Sequence, residues 1–127
     1  FDYIFASEEY DEYISDLKND AIAIFVDGQN IAWVPGTADP ISVFTVNAGR
    51  NSEYYQMNPL NPNEVFNLEY DGFTSTAQHP WLSATASVTP GVPVHVKIVI
   101  ADEDDAVYDS AVFIKARRPV SCAQPCQ

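Results

Sequence analysis

The sequence predicts an all-β domain, an antiparallel β-sandwich of jelly-roll type, over residues 1–116. Three observations carry this expectation. Apolar residues recur with a period of two rather than 3.6, which is the alternation of a half-buried strand. Turn-forming pairs separate the runs: Asp27-Gly28, Pro35-Gly36, Asn58-Pro59, Asn61-Pro62, Asp71-Gly72 and Pro90-Gly91. The resulting strands are short and evenly spaced, and nine prolines are distributed between them, the pattern of a sandwich with packed antiparallel sheets.

Each element has its own justification. Phe1, Tyr3 and Phe5 share one face of an opening strand. Residues 8–17 form the one helical candidate, with weak apolar positions. Residues 21–27 and 41–46 read as strands, and 47–64 as a long loop containing Tyr54 and Tyr55. Residues 82–89 alternate Leu82, Ala84, Ala86 and Val88 against Ser and Thr. In 93–101, Val94, Val96, Ile98 and Ile100 alternate with His95 and Lys97, which predicts one buried face. Residues 109–116 form a last strand. Residues 117–127 read as a tail or linker, where Cys122 and Cys126 can close a small disulfide in an oxidising compartment. Two thiols without nearby histidines under-ligate zinc. The chain opens directly on a strand without an initiator Met, so further sequence is expected upstream.

Composition narrows the function. With 127 residues, 46% hydrophobic and 19% charged, the chain suits one folded domain. Its formal charge of −12 repels phosphate backbones and anionic lipid, so nucleic acid is not an expected partner. The longest apolar run, residues 21–26, is too short to span a bilayer. No H-E-x-x-H or G-x-S-x-G motif occurs, and no Ser, His and acid fall into a recognisable block, so nucleophilic catalysis has little support and the protein is read as a non-enzyme.

The acids are concentrated. Residues 1–20 hold seven of the eighteen and residues 102–109 hold five more. Carboxylates this close repel by about 1 kcal/mol per pair at ~4 Å even in water. Calcium offsets such repulsion, because it is a hard cation that takes carboxylate oxygens. The candidate ligands are Glu8, Glu9, Asp20, Asp102, Asp104, Asp105 and Asp109, with Ser7 and Asn19 as supports. The spacing is not that of an EF-hand, since Val107 stands where that loop needs Gly. The competing reading is a set of solvated acidic loops that confer solubility, with Asp109-Ser110 only capping backbone amides. Tyr54 and Tyr55, in a polar loop, are the candidate ligand-binding aromatics. Trp33 and Tyr70, inside strand-like blocks, are expected to fill the core.

Six blocks in order resemble the choice-of-anchor L domain. Residues 1–10, F-D-Y-I-F-A-S-E-E-Y, are similar to its F-x-[YF]-[VI]-F-A-S-E-E-Y. Asn19-Asp20-Ala21 resembles F-N-D-x-F, with Lys18 in place of the usual Phe. Residues 30–37 (N-I-A-W-V-P-G-T), 40–47 (P-I-S-V-F-T-V-N), 70–74 (Y-D-G-F-T) and 98–113 (I-V-I-A-D-E-D-D-A-V-Y-D-S-A-V-F) follow in order. Two departures stand out. The family's usual strands upstream of F-A-S-E-E-Y are absent here, and Asp104 occupies a position where Gly is common. The resemblance implies an exported module at the cell surface that serves adhesion or matrix structure. Partners are then a protein or glycan at the surface, or further copies joined into a filament by strand addition. A carbohydrate-binding module using Tyr54 and Tyr55 is the other alternative.

Overall fold

A computed structural model describes residues 1–10, 14, 18–59, 68–102 and 107–115. Most of the helical candidate, Asp104, Asp105 and the tail with Cys122 and Cys126 lie outside the described residues. Among the described residues nine strands, β1 Asp2–Ser7, β2 Ala21–Val26, β3 Gln29–Asn30, β4 Ile41–Ser42, β5 Gln56–Met57, β6 Gly72–Phe73, β7 Leu82–Ser83, β8 Val96–Ala101 and β9 Ser110–Ile114, form two antiparallel sheets. The expected all-β sandwich is the observed one. No described helix is long and apolar enough to cross a membrane.

The first sheet is built on β1. One edge of β1 pairs with β7 through Asp2 and Tyr3 and with β6 through Ala6 and Ser7. The other edge pairs with β9 from Tyr3↔Ile114 to Ser7↔Ser110. The second sheet is built on β2 in the same way, with β4 and β3 sharing one edge and β8 along the other, from Ala21↔Ala101 to Val26↔Val96. Asp27 and Gly28 both adopt positive φ, 48° and 83°, which closes the β2–β3 hairpin with a twist that suits its strands. Tyr3 and Phe5 from the first sheet meet Ile22 and Ile24 from the second in one core, joined by Tyr10, Ile41, Val43, Val46 and Leu82.

Several predicted strands are shorter than their alternation. The run 41–46 pairs only over Ile41–Ser42, because Thr45 Oγ1 accepts from Ser42 N at 2.9 Å and Val46 N donates to Ser42 O at 3.1 Å. These local bonds compete with a ladder and turn the chain. The run 82–89 pairs only over Leu82–Ser83; Leu82 and Ala84 are buried, and Val88 is exposed. Trp33, expected in the core, is 41% exposed, with Nε1 donating to Asn30 O at 2.9 Å.

The largest correction concerns β8. Val94, Val96, Ile98 and Ile100 were expected to be buried and are 38–42% exposed. Their cross-strand partners Ile22, Ile24 and Val26 are buried. Opposed residues of an antiparallel pair share a face, so this is the inner face of β8. It lies beyond the cover that the first sheet provides, because β8 is an edge strand, and among the described residues none pairs its far side.

Candidate functional site

The period-two pattern, carried one step past the strand ends, assembles the site. On β1 the inward series Tyr3, Phe5, Ser7 continues to Glu9 in the turn that follows. On β2 the series Val26, Ile24, Ile22 runs back to Asp20. Because Ala21 pairs with Ala101, the next rung sets Asp20 opposite Asp102. Three acids therefore converge where the two sheets meet. One carboxylate oxygen from each of Glu9, Asp20 and Asp102 lies within 4.8 Å of the other two.

Glu9 and Asp20 have no solvent exposure, while Asp102 is exposed. Glu9 Oε2 accepts from Asp20 N at 3.3 Å, and Glu9 N donates to Ser7 Oγ at 2.9 Å. Asp20 Oδ2 accepts from Ser7 Oγ at 3.5 Å and, at shorter range, from Ser110 Oγ. Glu9 Oε1 and Asp20 Oδ1 are buried with no hydrogen-bond partner among the described residues. Burial, and next the neighbouring Asp20 charge, push the Glu9 carboxyl up to about 7.

Such a pair is unfavourable unless a proton or a cation joins it. An orphaned buried acceptor costs about 1–3 kcal/mol, more when charged. A hard divalent ion coordinated by roughly 2.3–2.6 Å oxygen contacts would satisfy both orphaned atoms at once and remove the like-charge repulsion. The donor set is all oxygen, which suits calcium and does not suit soft metals.

The other predicted residues fall elsewhere. Glu8 and Asp109 meet each other: Glu8 Oε2 accepts from Asp109 N at 2.9 Å, and Glu8 N donates to Asp109 O at 3.1 Å. Neither belongs to the trio found among the described residues. Asn19 Oδ1 accepts from Phe44 N at 3.1 Å and so helps hold the entry to β2. The two candidate ligand-binding tyrosines have different settings. Tyr55 is buried in the core, its ring 4.8 Å from Tyr10, because β5 pairs with β6 and draws it inward. Tyr54 is half-buried and stacks on His79 at 4.7 Å. Sequence reasoning missed Ser110 as a partner of Asp20. The available signal was its phase with Val112 and Ile114 on β9.

A titration follows from the Glu9 carboxyl. Its pKa in the folded protein lies above its ordinary value of 4.5. Folding therefore favours the protonated form, and that contribution is full below pH 4.5 and is lost as pH rises through about 7. In chelator, the melting temperature should fall between pH 5.5 and 8. The fall should be smaller in Glu9→Gln. Equal falls in both proteins would show that Glu9 does not carry it.

Away from this site, Ile4, Leu68, Phe73, Ser75, Trp81 and Phe113 line an apolar groove of about 180 Å³ on the outer face of the first sheet. Comparison with known families gives a match to the choice-of-anchor L domain over residues 1–118. No curated protein and no solved structure matches the chain.

Proposed function

The chain belongs to the choice-of-anchor L domain family, whose members are extracellular, surface-associated domains, and on that premise we propose that it is a non-catalytic, calcium-stabilised module of adhesion or extracellular assembly. The observation that carries the calcium part is the pair of fully buried carboxylates, Glu9 and Asp20, each with an orphaned oxygen, facing Asp102. Calcium is favoured over magnesium because magnesium sheds its waters reluctantly and keeps several of them. Two ligands with no solvent exposure leave little space for a hydrated ion. Bound there, the ion would tie the end of β1 to the start of β2 and the end of β8. That joins the two sheets at one end of the sandwich.

Isothermal titration tests the reading directly. Calcium should bind the wild type, magnesium should bind more weakly, and Asp20→Asn should abolish the calcium heat. Absence of calcium binding to the wild type at millimolar concentration would remove the calcium part.

The uncovered face of β8 favours a second reading, a subunit of an extracellular filament joined by strand addition. β8 offers six residues of edge backbone and a row of exposed Val and Ile without an interrupting proline. Natural edge strands are usually blunted by inward charges, bulges or short length. In β8 the only charged residue, Lys97, lies off the apolar row. A strand from a neighbouring copy would cover this row and pair with the edge at once. Electron microscopy and light scattering in calcium should show chains of subunits in the wild type and monomers in Ile98→Lys. Monomeric wild type at every concentration would eliminate this reading.

A further inference from the structure

We infer that Ser110, with Ser7, is a positioning residue for the cation. The inference rests on the calcium reading of the Glu9, Asp20 and Asp102 site. The two serines are direct cross-strand partners on β1 and β9. They continue the inward rows Tyr3, Phe5 and Ile114, Val112, and they are the polar rung at the end of an otherwise apolar ladder. Both hydroxyls donate to a single atom, Oδ2 of Asp20, across the space between the sheets.

The consequence is geometric. Ser7 Oγ accepts from Glu9 N, so its own proton is free to go to Asp20. Ser110 adds a second donor to the same oxygen. Oδ2 is thereby occupied, the rotation of the carboxylate is fixed, and Oδ1 is the oxygen left for a ligand. Glu9 is held in parallel, through its amide on Ser7 and its Oε2 on the Asp20 amide. One serine pair from the first sheet thus aims an acid that belongs to the second sheet. Metal sites depend on such supports, and losing one typically weakens binding by about 10–100-fold.

The test uses the full chain, calcium chloride and isothermal titration. Ser110→Ala should raise the calcium Kd by roughly 10–100-fold. Ser110→Thr and Ser110→Val have the same shape and differ only in the hydroxyl. The Thr protein should bind close to wild type, and the Val protein should match Ala. Melting in chelator provides the second readout: a merely structural serine would lower it and leave Kd unchanged. Calcium binding by the wild type together with an unchanged Kd in Ala and Val would overturn the positioning role and leave the calcium reading standing. Thr binding as weakly as Val would overturn it as well. No binding by the wild type would instead overturn the calcium reading and this inference together.

Discussion

Calcium at a hundredfold excess over its Kd should raise the melting temperature by roughly 10 °C. An ion that binds only the folded state adds RT ln(1 + [L]/Kd), about 2.7 kcal/mol at that excess. For a domain of this size each kcal/mol moves the midpoint by roughly 3–5 °C. The shift arises at Glu9 and Asp20, whose buried carboxylates are orphaned without a cation and would be coordinated with one. Chelator should return the midpoint to its metal-free value. Asp20→Asn should melt at the same temperature in calcium and in chelator, because the amide removes a charge, keeps one oxygen for the serine donors and puts an NH2 where the free oxygen stood. Scanning calorimetry in calcium and in chelator checks both statements. A wild type indifferent to both conditions would eliminate the metal claim.

Gly72→Ala should cost about 3 kcal/mol, the upper part of the usual range for overpacking. A Cβ at Gly72 would stand 2.5 Å from Tyr10 Cδ2 and 2.6 Å from Tyr55 Cε2. Neither ring has somewhere to go: both are buried, and they pack on each other at 4.8 Å. The backbone cannot retreat either, since Gly72 pairs with Ser7 on one side and Met57 on the other. Tyr10 is also the residue after Glu9, and Ser7 holds the Glu9 amide. Calcium affinity should therefore fall along with stability. Denaturant melts with and without calcium measure both effects. A variant as stable as wild type would mean that the two rings yield at little cost, contrary to a packed core.

Much of the fold was legible because strand alternation is a local property. Tyr3 and Phe5 share a face in the sequence pattern and face inward in the structure, where they meet Ile22 and Ile24. The Asp27-Gly28 hairpin was legible too, since a turn with two positive φ angles selects those residues. Where the reading failed, the cause was non-local. Val94, Val96, Ile98 and Ile100 alternate with His95 and Lys97, yet alternation identifies a face without revealing what covers it. Tyr55 looked like a loop residue because it stands outside regular structure, just before a strand only two residues long that exists through pairing with β6. At the acidic site, Glu9, Asp20 and Asp102 were among the candidates, and so were Glu8 and Asp109, which are joined instead by Asp109 N to Glu8 Oε2 and by a backbone bond from Glu8 N to Asp109 O. Glu8 and Glu9 are neighbours in the turn after β1, but Glu8 is half-buried against Asp109 and Glu9 is fully buried beside Asp20, so the cluster divides.

By itself the sequence determined the all-β class, the Asp27-Gly28 turn, the acidic charge and the family. These follow from short-range sterics, composition and ordered motifs, all of which are present in the unfolded chain. Only the tertiary structure decided which acids share a site, which serines aim them and which strand keeps an uncovered apolar face. Those features depend on the register between strands far apart in the chain, such as Ala21 on Ala101, and on how far one sheet extends over the other. Electrostatic repulsion and apolar exposure are set by distance in space, and folding is what fixes that distance.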